Sequence, residues 1–402
     1  MKKRIMKFVV KSVTNGSCRL GKIENIGPSK KTVETPTCML YTRGGSAPHL
    51  TRDMLHKIQD LPPVANMAVS MIAEHYEALQ EYGQGMAKFS AMQEFLVYTS
   101  LHDTHVEIPS GYNEKSGSAV WTKGGKMKVD VDLYIKIQSA VQPDWCQALS
   151  DHDTNAESSR KRAVKSVDRT LSFLDQILEQ QSKSERLKNT EVFGVVEGGW
   201  NGGERERSAK ETAARKVAGF VIEGFHSLGP SSETFKMSDI EELLQKTLNH
   251  LPEDKPRLMQ SIWPPDEVLR AIQIGIDVFD SCYPYTVTER GGALVFQYDH
   301  HQPVHPESRG DTVTSTGYEI SLKDKVYHDD FSPLLKGCAC YTCQKFTRSY
   351  INHLLNTSEL LAGVLLMIHN FHHYFQFFKT IRQSLEEGMF ESLKVLILQQ
   401  KR

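Results

Sequence analysis

Three cysteines fall within six residues, Cys338, Cys340 and Cys343, and a histidine, His369, follows at C-x-C-x2-C-x25-H spacing. Three thiolates and an imidazole fill a tetrahedron that suits Zn2+ and leaves no open position for a catalytic water. The pattern therefore predicts one structural zinc ion. His353, His372 and His373 are alternative fourth ligands on spacing alone. Seven cysteines, an odd number crowded in this way, argue for metal binding over a disulfide framework and for an intracellular protein.

A second chemical set is acidic. Asp151, Glu197, Glu223 and Asp280 stand at the predicted C-terminal ends of strands. Carboxylates converging there can hydrogen-bond the N–H edge of a base or supply a nucleophile. Acidic residues at strand ends also cap the helix that follows. Two basic clusters complete the inventory, Lys2, Lys3, Arg4, Lys7 and Lys11 at the N-terminus and Arg160, Lys161, Arg162, Lys165 and Arg169 further on. With 48 basic against 49 acidic side chains the net charge is -1, so any contact with a polyanion must be local. Each cluster also reads as an ordinary solvated face.

The elements that must position these residues alternate. The chain opens as a β-hairpin turning at Asn15 and Gly16. From about Asp130, apolar strands (191–196, 219–224, "PRLMQ", 276–280, and "DWCQALSD" before them) are separated by helical patterns such as Val164, Val167, Leu171, Leu174 and Leu178. Strands of this kind belong to a parallel sheet buried on both faces, and an α/β fold with a (β/α)8 TIM-like barrel is the economical prediction. No G-x-G-x-x-G turn argues for a dinucleotide site. The boundaries expected are an N-terminal antiparallel β segment leading into the barrel over 1–60, the barrel body over 61–280, and a zinc-binding lobe with closing helices over 281–402. A polar insert around 298–317 lies in that lobe. The longest apolar run, Leu360 to Ile368, is about half of the ~20 residues a membrane span requires and reads as a buried helix. The opening "MKKRIMKFVVK" is too short in its apolar part for a signal peptide. Composition, with 39% hydrophobic and 24% charged residues, is that of an ordinary globular chain.

In combination, these motifs resemble the tRNA-guanine transglycosylases, which exchange guanine at the anticodon wobble position for queuine or a precursor. "CRLGKI", "ETPTCM", "IQSAVQPD", "VVEGG", "LPEDKPR", "VFDSCYP", "YTCQKFTRSYINHLL" and "LLMIHN" carry the resemblance over most of the chain. It implies that Asp280 occupies the nucleophile position, that Asp151 is a base-recognition aspartate, and that Glu197, Gly198, Gly199 and Gly224 are remnants of the base pocket. The departures matter. The family's "DSGGFQ" segment, which carries the acid/base aspartate, has no counterpart in residues 60–110, where only "AMQEFLVYTSLHD" and its neighbours stand, so the acid/base is expected to be missing. Glu197 puts a charged acceptor where the family has a glutamine, and Pro284, Tyr285 and Thr286 replace its "PTR".

A nucleophile without its acid or base forfeits ~10^2 to 10^4 in rate. The chain is thus similar to non-catalytic eukaryotic members of the family, to which "VTERG" and "LLAGVLLMIHNF" also point. The resemblance implies a heterodimer with a catalytic paralogue and binding of tRNAs with GUN anticodons (Asp, Asn, His, Tyr). It also implies a cytoplasmic place with peripheral association at the mitochondrial outer membrane. The competing expectations are a self-sufficient transglycosylase using Asp280, with Asp151 or Glu197 as base, and a zinc-stabilised barrel acting on an unrelated small molecule.

Overall fold

The computed structural model describes residues 6–14, 16–299 and 317–401. Asn15, Lys2, Lys3, Arg4 and most of the polar insert lie outside the described residues.

Three antiparallel strands, β1 (Lys7–Thr14), β2 (Cys18–Ile26) and β3 (Lys31–Thr35), form the N-terminal sheet. The chain then enters a closed parallel barrel. Its eight strands are β4 (Thr37–Tyr41), β5 (Val64–Asn66), β6 (Leu96–Thr99), β9 (Trp145–Gln147), β10 (Glu191–Val196), β11 (Gly219–Ile222), β12 (Arg257–Met259) and β13 (Val278–Asp280). β13 closes the ring against β4, with Asp280 opposite Met39. A hairpin, β7 (Ser118–Thr122) with β8 (Gly125–Val129), is inserted between β6 and the next helix. The (β/α)8 architecture follows the prediction, and the first barrel strand already lies within residues 1–60.

Strands this short hold register because both faces are buried. Tyr98, Trp145 and Phe193, from three adjacent strands, meet edge to face with centroids 5.1 to 6.3 Å apart. Caps set the helices between them: Asp130, Ser159 and Asn201 each accept a backbone N–H of the first turn of Val131–Val141, Arg160–Lys183 and Gly202–Ala213.

The N-terminal sheet covers the bottom of the barrel through one buried ion pair. Arg19 on β2 clamps Asp277, the residue before β13, with Nε donating to Oδ1 at 3.0 Å and Nη2 to Oδ2. Its remaining protons go to the carbonyls of Glu253 and Lys255, and Asp277 also accepts the N–H of Arg257.

Beyond the barrel, β14 (Gly292–Leu294) pairs with β15 (Glu319–Ser321), and the helices Tyr341–Lys345 and Arg348–Asn356 lead into the 27-residue helix Leu360–Glu386. At 1.5 Å per residue this helix is about 40 Å long, enough to serve two cores. Its Leu365 and Leu366 pack with Ala293, Ile320, Leu322 and Ile351, while Phe371, Tyr374, Phe375 and Phe378 join the barrel core. The run read as a buried helix is buried from Ala362 onward apart from two half-buried residues, and Leu360 is 86% exposed at its start. Among the described residues no helix is long and apolar enough to cross a membrane.

Replacing Arg19 by methionine strands the Asp277 carboxylate. Urea unfolding should register a loss of about 3 to 5 kcal/mol, the cost of breaking a buried pair; a loss below 1 kcal/mol would show that the pair does not hold the sheet to the barrel.

Candidate functional site

All four predicted acidic residues come to the C-terminal mouth of the barrel, but they do not share an open pocket. Asp151 lies in the loop after β9, fully buried. Its Oδ1 accepts from Asn113 Nδ2 at 2.8 Å and from Arg162 Nη2, and its Oδ2 from Arg162 Nη1 at 3.0 Å and Arg169 Nη1 at 2.9 Å. Burial alone would raise its pKa; the hydrogen bonds and charge of Arg162, with help from Asn113 and Arg169, outweigh burial and hold it below the usual range. Every lone pair facing the barrel is thereby engaged.

Glu197 follows β10 directly and is also fully buried. Its Oε2 accepts from the hydroxyls of Thr154 and Ser166, both at 3.4 Å, and its Oε1 has no partner. Burial, reinforced by the nearby charge of Glu223, pushes its carboxyl well above the carboxylate range, with Arg205 opposing. The expected charged acceptor is thus driven towards its neutral form. Arg205 reaches in from the helix Gly202–Ala213, gives Nε–H to the carbonyl of Gly199 at 2.7 Å and Nη1 to that of Val196 at 2.9 Å, and lays its guanidinium over the Phe225 ring at 3.6 Å. Gly198 lets the backbone of that helix pack close: at φ +129° its Cβ would stand 2.8 Å from the Arg205 backbone nitrogen. Gly224 faces the same cluster, and a Cβ there would stand 2.3 Å from Glu197 Oε2 and 2.4 Å from Thr154 Oγ1. The space is therefore filled by the chain's own side chains. Glu223 is held by Gln147 at 2.6 Å and Ser150 at 2.9 Å.

A cavity of about 50 Å³ remains above Glu223 and Gly224, bordered by His102, His152, His226 and Gln260. That is room for a few waters. Asp151, Glu197 and Asp280 do not line it. A larger cavity, about 490 Å³, lies on the outer rim between Arg43, Met71, Leu79, Met86, Phe89 and Tyr285, and none of the four acidic residues lines it.

Asp280 ends β13, fully buried. Its Oδ2 accepts from Asn66 Nδ2 at 3.2 Å and from Thr104 Oγ1 at 2.5 Å, while its Oδ1 has no partner. Burial raises its pKa to about 7, with hydrogen bonding from Thr104, Gln260 and Asn66 opposing the rise and the charge of Asp103 adding to it. A carboxyl in that state is about half protonated at pH 7, and only its ionised fraction can act as a nucleophile.

Residues 60–110, from which no acid/base aspartate is expected, do bring one carboxylate to the mouth, that of Asp103. It is the last residue of "AMQEFLVYTSLHD", four positions after β6, and it reaches the electrostatic neighbourhood of Asp280. It is fully engaged, accepting from Tyr41 Oη at 2.5 Å, Arg43 Nε at 3.1 Å and the His105 N–H at 3.0 Å. Tyr285, the middle residue of the Pro284, Tyr285 and Thr286 that stand for the family's "PTR", accepts from Arg43 Nη1 at 2.9 Å and fixes that guanidinium against Asp103. A strand followed by an acid was the signal that located the other four residues, and it could have found this one.

The metal cluster assembles as the spacing predicts. Sγ of Cys338, Cys340 and Cys343 lie 3.8, 3.4 and 3.3 Å from His369 Nδ1, and all four ligand atoms fall within 4.8 Å of one another. Metal–sulfur bonds of ~2.3 Å and a metal–nitrogen bond of ~2.0 Å imply a tetrahedral edge of about 3.5 Å, which these separations bracket. The residues could hold a metal ion. His369 donates Nε2–H to the carbonyl of Leu294 at 2.8 Å, which fixes the tautomer and turns the Nδ1 lone pair to the thiols. Of the alternative ligands, His353 is exposed and His373 bonds the Phe296 carbonyl.

A sequence profile of queuine tRNA-ribosyltransferase matches residues 15–402. The chain belongs to the queuine tRNA-ribosyltransferase family. Within the family it is 45% identical to the human protein called queuine tRNA-ribosyltransferase accessory subunit 2, over 98% of this chain and 100% of the relative. The namesakes from Xenopus tropicalis and Danio rerio are 44% and 41% identical, each over 98% of this chain.

The Asp280 carboxyl titrates near 3.9 when unfolded and near 7 when folded, so its favourable share of stability is present at low pH and is lost as pH rises towards 7. Asp280→Asn removes that dependence. Between pH 5 and pH 8 the stability of wild type should fall relative to the variant by roughly 2 to 3 kcal/mol, whereas parallel pH–stability curves would mean that Asp280 is not the buried neutral acid described here.

Proposed function

We propose that this chain is the non-catalytic accessory subunit of a heterodimeric queuine tRNA-ribosyltransferase, a pentosyltransferase complex. In this reading a catalytic paralogue supplies both the queuine pocket and the chemistry. The complex exchanges guanine for queuine at wobble position 34 of tRNAs with GUN anticodons, while this chain completes the dimer and helps to position the tRNA. The observation that carries it is the self-filled mouth of the barrel. Asp151, Glu197, Gly198, Gly199 and Gly224 are read as remnants of a base pocket, now closed by Arg162, Arg169 and Arg205. The relatives that match from end to end support it by their shared name.

Cys338, Cys340, Cys343 and His369 are proposed to hold one structural Zn2+ per subunit. When bound, a fully ligated zinc ion supplies a cross-link and no Lewis-acid position. The division into segments 1–60, 61–280 and 281–402 belongs to the same proposal. So does a cytoplasmic place with peripheral association at the mitochondrial outer membrane.

Asp103 beside Asp280 favours a second reading, a self-sufficient transglycosylase with Asp280 as nucleophile. Guanine exchange into a GUN tRNA, by this chain, by the paralogue and by the mixture, separates the two. Exchange should occur only in the mixture and change less than twofold with Asp280→Asn. Exchange by this chain alone, lowered a hundredfold or more by that substitution, would make it an enzyme. Elemental analysis should find one zinc per chain and none in a Cys340→Ser, His369→Ala form. A metal-free wild-type chain with unchanged thermal stability would contradict the zinc assignment.

A further inference from the structure

Asp151 is closed to a ligand, yet it organises an exposed surface. Arg162 and Arg169, on the helix Arg160–Lys183, both close on its carboxylate, and Asn113 joins them from the loop before β7. The Asn113 carbonyl accepts from Arg169 at 3.0 Å, and the Gly111 N–H donates to Asp153 at 2.6 Å. The β7–β8 hairpin is thereby fastened to the first turns of that helix. Both elements lie on the C-terminal side of the barrel, since the hairpin follows β6 and the helix follows β9.

What the two elements present to solvent is basic and aromatic. Lys115 and Lys126 are exposed on the hairpin segment, and Arg160, Lys161 and Lys165 on the helix. No ion pair engages any of the five among the described residues. Three acidic neighbours are already taken, Glu114 by Lys128 at 2.7 Å, Asp153 by Gly111 and Arg162, and Asp168 by Arg207 at 2.9 Å, which leaves the exposed Glu157 as one acid beside five cations. Tyr112 is 46% exposed, carries the Lys126 ammonium 4.8 Å from its ring centroid, and meets Trp121 edge-on at 5.4 Å. Cations without counter-charges, next to an exposed ring braced by a second one, are the composition that holds single-stranded nucleic acid. The cations neutralise phosphates and the ring offers a stacking face. Within a chain of net charge -1 this is a local concentration of positive charge, not a general property.

We infer that Tyr112, Lys115, Lys126, Arg160, Lys161 and Lys165 form a contact for single-stranded loop RNA of the tRNA substrate, an inference that rests on the accessory-subunit reading. Asp151 acts in it as a positioning residue, locking hairpin to helix. The barrel mouth then keeps an RNA-facing role after its base pocket has closed.

The test uses the complex reconstituted with the catalytic paralogue and a full-length GUN tRNA. In a Lys126→Gln, Lys161→Gln, Lys165→Gln form, affinity near 100 mM salt should fall about tenfold. The slope of log K against log salt should become shallower by about 2, three lost phosphate contacts at ~0.7 each. Affinity within twofold and an unchanged slope would overturn the inference. Loss of subunit association with tRNA affinity retained would overturn it too, by making the surface a protein contact. Acylation of lysines in the wild-type complex supplies a readout without substitution: tRNA should protect Lys115, Lys126, Lys161 and Lys165 but not Lys183, at the far end of the helix. Equal labelling with and without tRNA would count against the surface. A wild-type chain that binds tRNA here yet gives no active complex would sink the accessory-subunit reading and leave the RNA surface standing.

Discussion

A carboxylate removed from water must be paired, hydrogen-bonded or protonated, because its desolvation costs several kcal/mol. The mouth of this barrel holds five such groups, four buried and Glu223 half-buried, and they meet the requirement in two ways. Asp151 is clamped by two arginines, Asp103 by Arg43 and Tyr41, and Glu223 by Gln147 and Ser150. Glu197 and Asp280 are pushed towards the neutral acid. A base-exchange enzyme needs these groups turned outward and partly unsatisfied until substrate arrives. Here Asp151, Asp103 and Glu223 are held by the protein's own donors, Glu197 and Asp280 each keep one buried oxygen without a partner but do not line the cavity, and the volume left is about 50 Å³.

The same logic of internal satisfaction organises the C-terminal lobe around one helix. Leu360–Glu386 carries His369 in its first half, just past the point where the core of the small lobe (Ala362, Leu365, Leu366) gives way to the barrel core (Met367, Ile368, Phe371). Asn370 strengthens the junction, accepting the Leu294 N–H at 2.8 Å and donating to the Gly292 carbonyl at 3.0 Å. A metal held at Cys338, Cys340, Cys343 and His369 would therefore brace the small lobe against a helix already built into the barrel.

How much of this was legible in the sequence depended on distance along the chain. The metal cluster was legible because three of its four ligands lie in one short turn and the helix carrying the fourth is marked by its apolar periodicity. The last five barrel strands were legible as apolar runs between long helices. β4, β5 and β6 were not resolved by pattern, because the segments between them contain only short helices, such as Arg52–Leu55 and Val69–Ile72, that give no sustained periodicity. The closed pocket was hidden for a different reason. Arg205 sits in a helix that reads as polar-faced, and nothing local says that this one arginine turns inward onto Phe225. The contact of Gly224 with Glu197 joins neighbouring strands 27 positions apart in sequence, a proximity that only the barrel creates. Asp103 escaped because the family's glycine-rich segment is replaced around it, although its carboxylate still reaches the mouth.

A mouth closed in this way takes up no base. Equilibrium dialysis of labelled guanine and queuine against the reconstituted heterodimer tests it most directly. The account predicts one site per heterodimer and none on this chain alone. Two sites per heterodimer, or saturable binding to this chain alone that Glu197→Ala alters, would contradict it.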